Sequence, residues 1–105
     1  DTMYSEWKFQ LAQHEIRITN NWLTGLKLYV DGKLKGKNRF PIALGTHTFI
    51  KTELENLGTL EVIPFAVFTV EVSVKLTTET ESLLVYSSHE RVSLSTQRYI
   101  NQLNS

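Results

Sequence analysis

The sequence predicts an all-β protein, a single antiparallel β-sandwich of seven to eight strands with barrel-like closure left open and a short C-terminal helix. Three observations carry this. Apolar and polar residues alternate with a period of two along most of the chain, turn formers recur every eight to twelve residues, and helical spacing appears only in the tail. At 105 residues and 41% hydrophobic content the chain is one domain with enough apolar material for one core. Phe, Tyr and Trp number five, four and two, a supply of large side chains for a sandwich interior. Asp1-Thr2 reads as a cloning remnant before an initiator Met3, which places the sandwich domain over 3–105.

Each element follows from local pattern. Trp7, Phe9 and Leu11 alternate with Lys8 and Gln10; after a turn at "AQHE", Ile16 and Ile18 alternate with Glu15, Arg17 and Thr19. "TNNWLTG", Thr19 to Gly25, is rich in turn formers and predicts a loop or wide bend. Leu26, Leu28 and Val30 then alternate with Lys27 and Tyr29 up to Asp31-Gly32. A type I′ hairpin turn needs positive φ at both central residues, which Asp tolerates and Gly accepts without steric cost. A short strand from Lys33 towards Lys37 follows, and Phe40-Pro41-Ile42 opens an irregular connection ending at Gly45.

"THTFIKTEL" is rich in β-formers, and Asn56-Leu57-Gly58 makes the next turn. "TLEVI" predicts a short strand stopped by Pro64, which cannot donate to a central ladder. "FAVFTVEVSVKLT", Phe65 to Thr77, reads as one long strand with Ala66, Phe68, Val70, Val72, Val74 and Leu76 on its apolar face. "SLLVYSS" is a further strand after the polar turn "TETE". In the tail, Leu94, Arg98, Ile100 and Leu103 fall loosely at helical spacing with Ser95 or Thr96 as cap; a last strand is the competing reading.

Composition removes several function classes. With no cysteine there is no disulfide framework, thiolate zinc site or cysteine nucleophile. No run approaches the roughly 18 apolar residues of a membrane helix, and no signal-peptide pattern is visible, so a cytoplasmic protein without membrane partners is expected. Net charge is zero, but residues 1–52 carry eight Lys/Arg against four Asp/Glu and residues 53–105 carry three against seven. Such asymmetry suits self-association or a protein partner, whereas nucleic-acid binding ordinarily needs a strongly basic domain.

Over residues 7–36, "WKFQL…HEIRITNNWLTGLKLYVDGKLKG" resembles the β-sandwich modules of the Fas apoptotic inhibitory molecule family and similar uncharacterised bacterial proteins. The shared features are an aromatic first strand, an H-x-I strand and a strand ending in V-D-G-K. The resemblance implies an antiparallel sandwich used as an interaction module without enzymatic activity. Residues 37–105 depart from that pattern, and no binding residue carries over.

The candidate chemistry is sparse. His14, His47 and His89 show no metal-ligand spacing, and no cofactor is implied. Ser88 and His89 are adjacent, so on a strand they point to opposite faces and cannot form a nucleophile–base pair. Glu53/Glu55 and Glu79/Glu81 repeat at i, i+2, the pattern of solvated hairpin ends; no calcium loop accompanies them. Trp22 with Asn20 and Asn21 could bind a carbohydrate or small ligand, an indole stacking on a pyranose while amides meet hydroxyls. Trp22 as a plug for one open end of the sandwich is the favoured alternative. Lys33, Lys35 and Lys37 alternate, and Arg39 continues the register, so a regular strand would project them from one face. That row protects an edge strand from aggregation or forms an anion-binding patch. The expected function is a non-enzymatic binding or protein-interaction module, acting on a protein partner or as a homodimer. The alternatives are the Trp22 ligand binder and a small barrel-like enzyme with His47 or His89 in a pocket.

Overall fold

The computed structural model describes residues 4–21, 25–38, 50–66, 70–88 and 91–104, with residues 65, 66 and 70 described by backbone only. The chain forms two consecutive four-stranded antiparallel meanders. Sheet A holds β1 (Tyr4–Leu11), β2 (His14–Asn21), β3 (Gly25–Val30) and β4 (Lys33–Asn38) in that order. Sheet B holds β5 (Ile50–Leu54), β6 (Gly58–Ala66), β7 (Val70–Thr77) and β8 (Ser82–Ser87). Helix α1 (Leu94–Asn104) follows the second sheet.

Alternation decides what each sheet buries. Ile16, Ile18, Leu26 and Leu28 from sheet A and Leu60, Val62, Val72, Val74 and Leu76 from sheet B are fully buried in one cluster. Fully burying one such side chain contributes about 1.5–3 kcal/mol. Polar partners of the same strands face outwards, so the all-β sandwich expected from the pattern is the observed fold.

The described strands close into two sheets and not into a barrel. At one seam β4 lies against β5, where Gly36 approaches Ile50 so closely that a Cβ at position 36 would run into Ile50 Cγ2. At the other seam α1 packs against β1 and β8, with Ile100 and Leu103 on the core. Phe9 of β1 and Tyr86 of β8 stack there, ring centroids 4.6 Å apart and 4° from parallel. Burial, with a smaller contribution from the charge of Glu71, pushes the Tyr86 phenol up from its ordinary value. Asn104 Nδ2 donates to the Gln10 carbonyl at 3.1 Å and ties the helix end to β1.

Several details differ from the pattern-based reading. The stretch 65–77 is not one strand: Ala66 and Val70 are opposite partners, so the chain reverses between them. A three-residue connection preserves odd–even parity, which lets the apolar alternation run unbroken through a hairpin. Pro64 does not stop β6. Val72, its partner, sends both backbone groups to the other side, to Ser88 N at 2.9 Å and Ser88 Oγ at 2.9 Å. The Pro64–Val72 pair is therefore a non-hydrogen-bonded one, and the proline ring nitrogen, which has no hydrogen to donate, faces away from β7. The bend expected from Thr19 is narrower, since β2 continues to Asn21 and β3 begins at Gly25. The helix cap is Ser93, not Ser95 or Thr96: its Oγ accepts from Thr96 N at 3.3 Å and donates to Thr96 Oγ1 at 2.9 Å.

Turn chemistry agrees with the sequence at Asp31-Gly32, where φ is 53° and 83°. Ala12, first of the two residues joining β1 to β2, also has positive φ, 56°, a position glycine fills at lower cost. Ala12→Gly is expected to raise stability by about 0.5–1 kcal/mol in urea unfolding. Gly36→Val is expected to cost about 1–3 kcal/mol through overpacking, and Ile50→Ala in the same chain should recover part of that loss. Additive losses in the double variant would show that the two residues do not touch.

Candidate functional site

Two regions of the described molecule gather polar chemistry. The first lies at the turn end of sheet A, where Asp31 clasps both hairpins. Its backbone N–H donates to the Glu15 carbonyl at 2.9 Å, while its carboxylate accepts from Glu15 N at 2.8 Å and from His14 Nδ1 at 2.7 Å. The hydrogen bond from His14, helped by that from the Glu15 backbone, holds the Asp31 carboxyl below its usual range. Beside the clasp, His14, Asp31, Lys33 and Lys35 face Glu53 and Glu55 across a cleft of about 290 Å³. Its remaining lining residues are Val30 and Leu54, so none of the groups lining it is a hydroxyl nucleophile.

The second region is the outer face of sheet A. Register places Lys8, Arg17, Tyr29 and Leu34 in one row and Glu6, Thr19, Lys27 and Lys37 in the next. The Arg17 guanidinium lies 4.2 Å from the Tyr29 ring centroid, and its Nη1 donates to Glu6 Oε2 at 3.1 Å. Stacking and ion pairing together flatten the arginine onto the sheet. Around it, Tyr4 is 44% exposed and Leu34 49% exposed, large apolar groups left in water.

Lys33, Lys35 and Lys37 do not form one row. The β3–β4 register shifts between Leu28 and Tyr29, pairing Leu28 with Gly36 and Tyr29 with Leu34 and leaving Lys35 as the extra residue. Lys33 therefore shares the register of inward-facing Val30, while Lys37 lies opposite Lys27 on the outer face. Arg39, Trp22, His47 and His89 lie outside the described residues. Asn20 is buried at 4% exposure opposite Leu26, on the core side, and Asn21 is half-buried at the strand end. No buried side-chain nitrogen or oxygen among the described residues lacks a partner. Ser88 is spent on Val72: its Oγ accepts from Val72 N and its N–H donates to Val72 O, which prolongs the β7–β8 edge. Arg17 and Tyr29 are direct partners across β2 and β3, and Glu6 joins them through the β1–β2 register, a grouping that residue spacing alone does not contain.

The protein is thus a two-sheet antiparallel sandwich whose described polar groups mostly serve its own turns and edges. Comparison with known proteins yields no matching family model and no significant match to a curated sequence or a solved structure. No described helix is long and apolar enough to cross a membrane.

The clasp makes a pH prediction. Asp31 has a lowered folded-state pKa, so its contribution is fully present above the unfolded value and lost as pH falls through the folded one. Urea midpoints followed from neutral pH down through the carboxylate range should fall, and Asp31→Asn should flatten that acid limb. An unchanged acid limb in Asp31→Asn would remove the clasp from the stability account.

Proposed function

We propose that this protein is a non-enzymatic protein-interaction module that presents the outer face of sheet A to an acidic partner segment. The observation that carries this reading is the combination on that face of exposed Tyr4 and Leu34 with Lys8, Arg17, Lys27 and Lys37, opposed among the described residues by Glu6 and Glu15. Aromatic and arginine side chains at the centre of a patch supply most of the binding energy in protein interfaces, and surrounding charge sets approach and partner choice. The Arg17–Tyr29 stack is preorganised, which limits the entropy lost on binding. The resemblance of residues 7–36 to the Fas apoptotic inhibitory molecule modules points the same way. Cytoplasmic residence would fit a chain without cysteine.

The test is titration of a labelled glutamate- and aromatic-containing peptide, followed by anisotropy at low and physiological salt. Binding should weaken with salt. Lys27→Glu with Lys37→Glu should lose about tenfold or more in affinity, while Lys51→Glu with Lys75→Glu on sheet B should lose none. Tighter binding of a single-stranded oligonucleotide than of the peptide would contradict the reading. So would turnover of any substrate abolished by one polar substitution.

A further inference from the structure

Four of the described strands lie at sheet edges, and three are protected or short. β4 carries the bulge at Lys35 and three lysines, β8 shifts register at Val85, and β5 has five residues and lies against β4. β1 differs. It runs eight residues in unbroken register with β2, from Tyr4↔Asn21 to Leu11↔His14. A long, straight edge strand is a template for another strand unless something covers it.

Glu15 sends its C=O to Asp31 N and its N–H to Asp31 Oδ1, both on the β3 side. Its partner on β1, Gln10, therefore points its own N–H and C=O away from β2. The bond from Asn104 Nδ2 to Gln10 O is the same fact seen from outside. Alternation then turns the backbone groups of Lys8, Glu6 and Tyr4 to the open edge as well.

We infer that β1 pairs antiparallel with β1 of a second copy of this chain, about a twofold axis through Trp7. That register sets Glu6 opposite Lys8 of the second copy and Lys8 opposite Glu6, both as hydrogen-bonded pairs. All four side chains are exposed and lie on the outer face. Shifting the centre by one residue in either direction sets Glu6 against Glu6 or Lys8 against Lys8, so charge selects the Trp7 centre. Trp7, half-buried on the inner face, meets its copy in the close, non-hydrogen-bonded position and loses further surface to water. Helix α1 packs against β1 and its Asn104 keeps the Gln10 carbonyl, so pairing centres on the stretch around Glu6 and Lys8. The product is a small, closed, isologous interface of the weak and reversible kind. It rests on the backbone edge of β1 and on the Glu6–Lys8 pairs, and not on an acidic partner being bound to sheet A.

The test is sedimentation equilibrium of the full chain from about 10 μM to about 1 mM, a span that reads weak association. The parent should associate to dimers and no further. Lys8→Glu, which keeps Glu6 itself unchanged, should weaken association about tenfold or more. The double variant Glu6→Lys with Lys8→Glu should regain the parent affinity, and so should an equimolar mixture of the two single variants. Lys8→Pro removes an N–H that points away from β2, so it should abolish the dimer without unfolding the monomer, as circular dichroism would confirm. A parent that stays monomeric throughout the range overturns the proposal. So does association indifferent to Lys8→Glu, or a double variant no better than the single ones.

Discussion

Ile16, Ile18, Leu26 and Leu28 on one sheet and Leu60, Val62, Val72, Val74 and Leu76 on the other meet in a single water-free layer, and every other feature is arranged around keeping that layer closed. A four-stranded meander with one apolar face has no way to hide that face alone. Two meanders stacked face to face hide both, but they leave four edge strands and two open sides. The molecule closes those sides differently. Gly36 lets β4 settle against Ile50 of β5, with no side chain of its own in between. At the opposite side the Phe9–Tyr86 stack and the apolar residues of α1 fill the gap between β1 and β8.

This arrangement also sorts charge. Sheet A and its turns, residues 4–38, hold six Lys/Arg and three Asp/Glu; sheet B and its turns, residues 50–87, hold two and six. Because each meander is continuous in sequence, the asymmetry between chain halves becomes an asymmetry between layers. The outer face of sheet B tempers its charge by register, with Glu61 between Lys51 and Lys75 across three strands and Thr77 Oγ1 donating to Glu61 Oε2 at 2.6 Å. Sheet A has no such balance around Lys27 and Lys37, which face each other directly. Like charges opposite one another are mildly destabilising in the isolated chain, and an acidic partner would relieve that.

Much of the fold was legible because period two is a strong signal where one face of a sheet is wet. Asp31-Gly32 announced its turn, and the inward residues of β2, β3 and β7 were named by parity alone. What stayed hidden had physical causes. The β6–β7 reversal keeps parity and lacks a glycine or proline at its connection, so nothing in the pattern breaks at Ala66. Pro64 looks like a strand terminator until the direction of its nitrogen is known, and that depends on the register of a neighbouring strand. The bulge at Lys35 moves the lysines to different faces, a consequence of pairing that one strand's sequence does not contain. Asn20 reads as a loop amide but belongs to a longer β2 and is buried. Of the candidate site, the separate residues were visible and their grouping was not: Arg17, Tyr29 and Glu6 come together only through the β1–β2–β3 register.

Packing, not hydrogen bonding, closes the β4–β5 side. The alternation that turns Val62 towards Ile50 leaves the N–H groups of Lys51 and Glu53 facing the gap, and the same reasoning leaves that of Lys37 facing it from β4. Native-state amide hydrogen exchange read residue by residue tests this most directly. Exchange should be rapid at Lys37, Lys51 and Glu53, beside strong protection at Leu28, Val62 and Val74. Protection of Lys37, Lys51 and Glu53 to the level of the inner strands would mean a hydrogen-bonded, barrel-like closure and would contradict it.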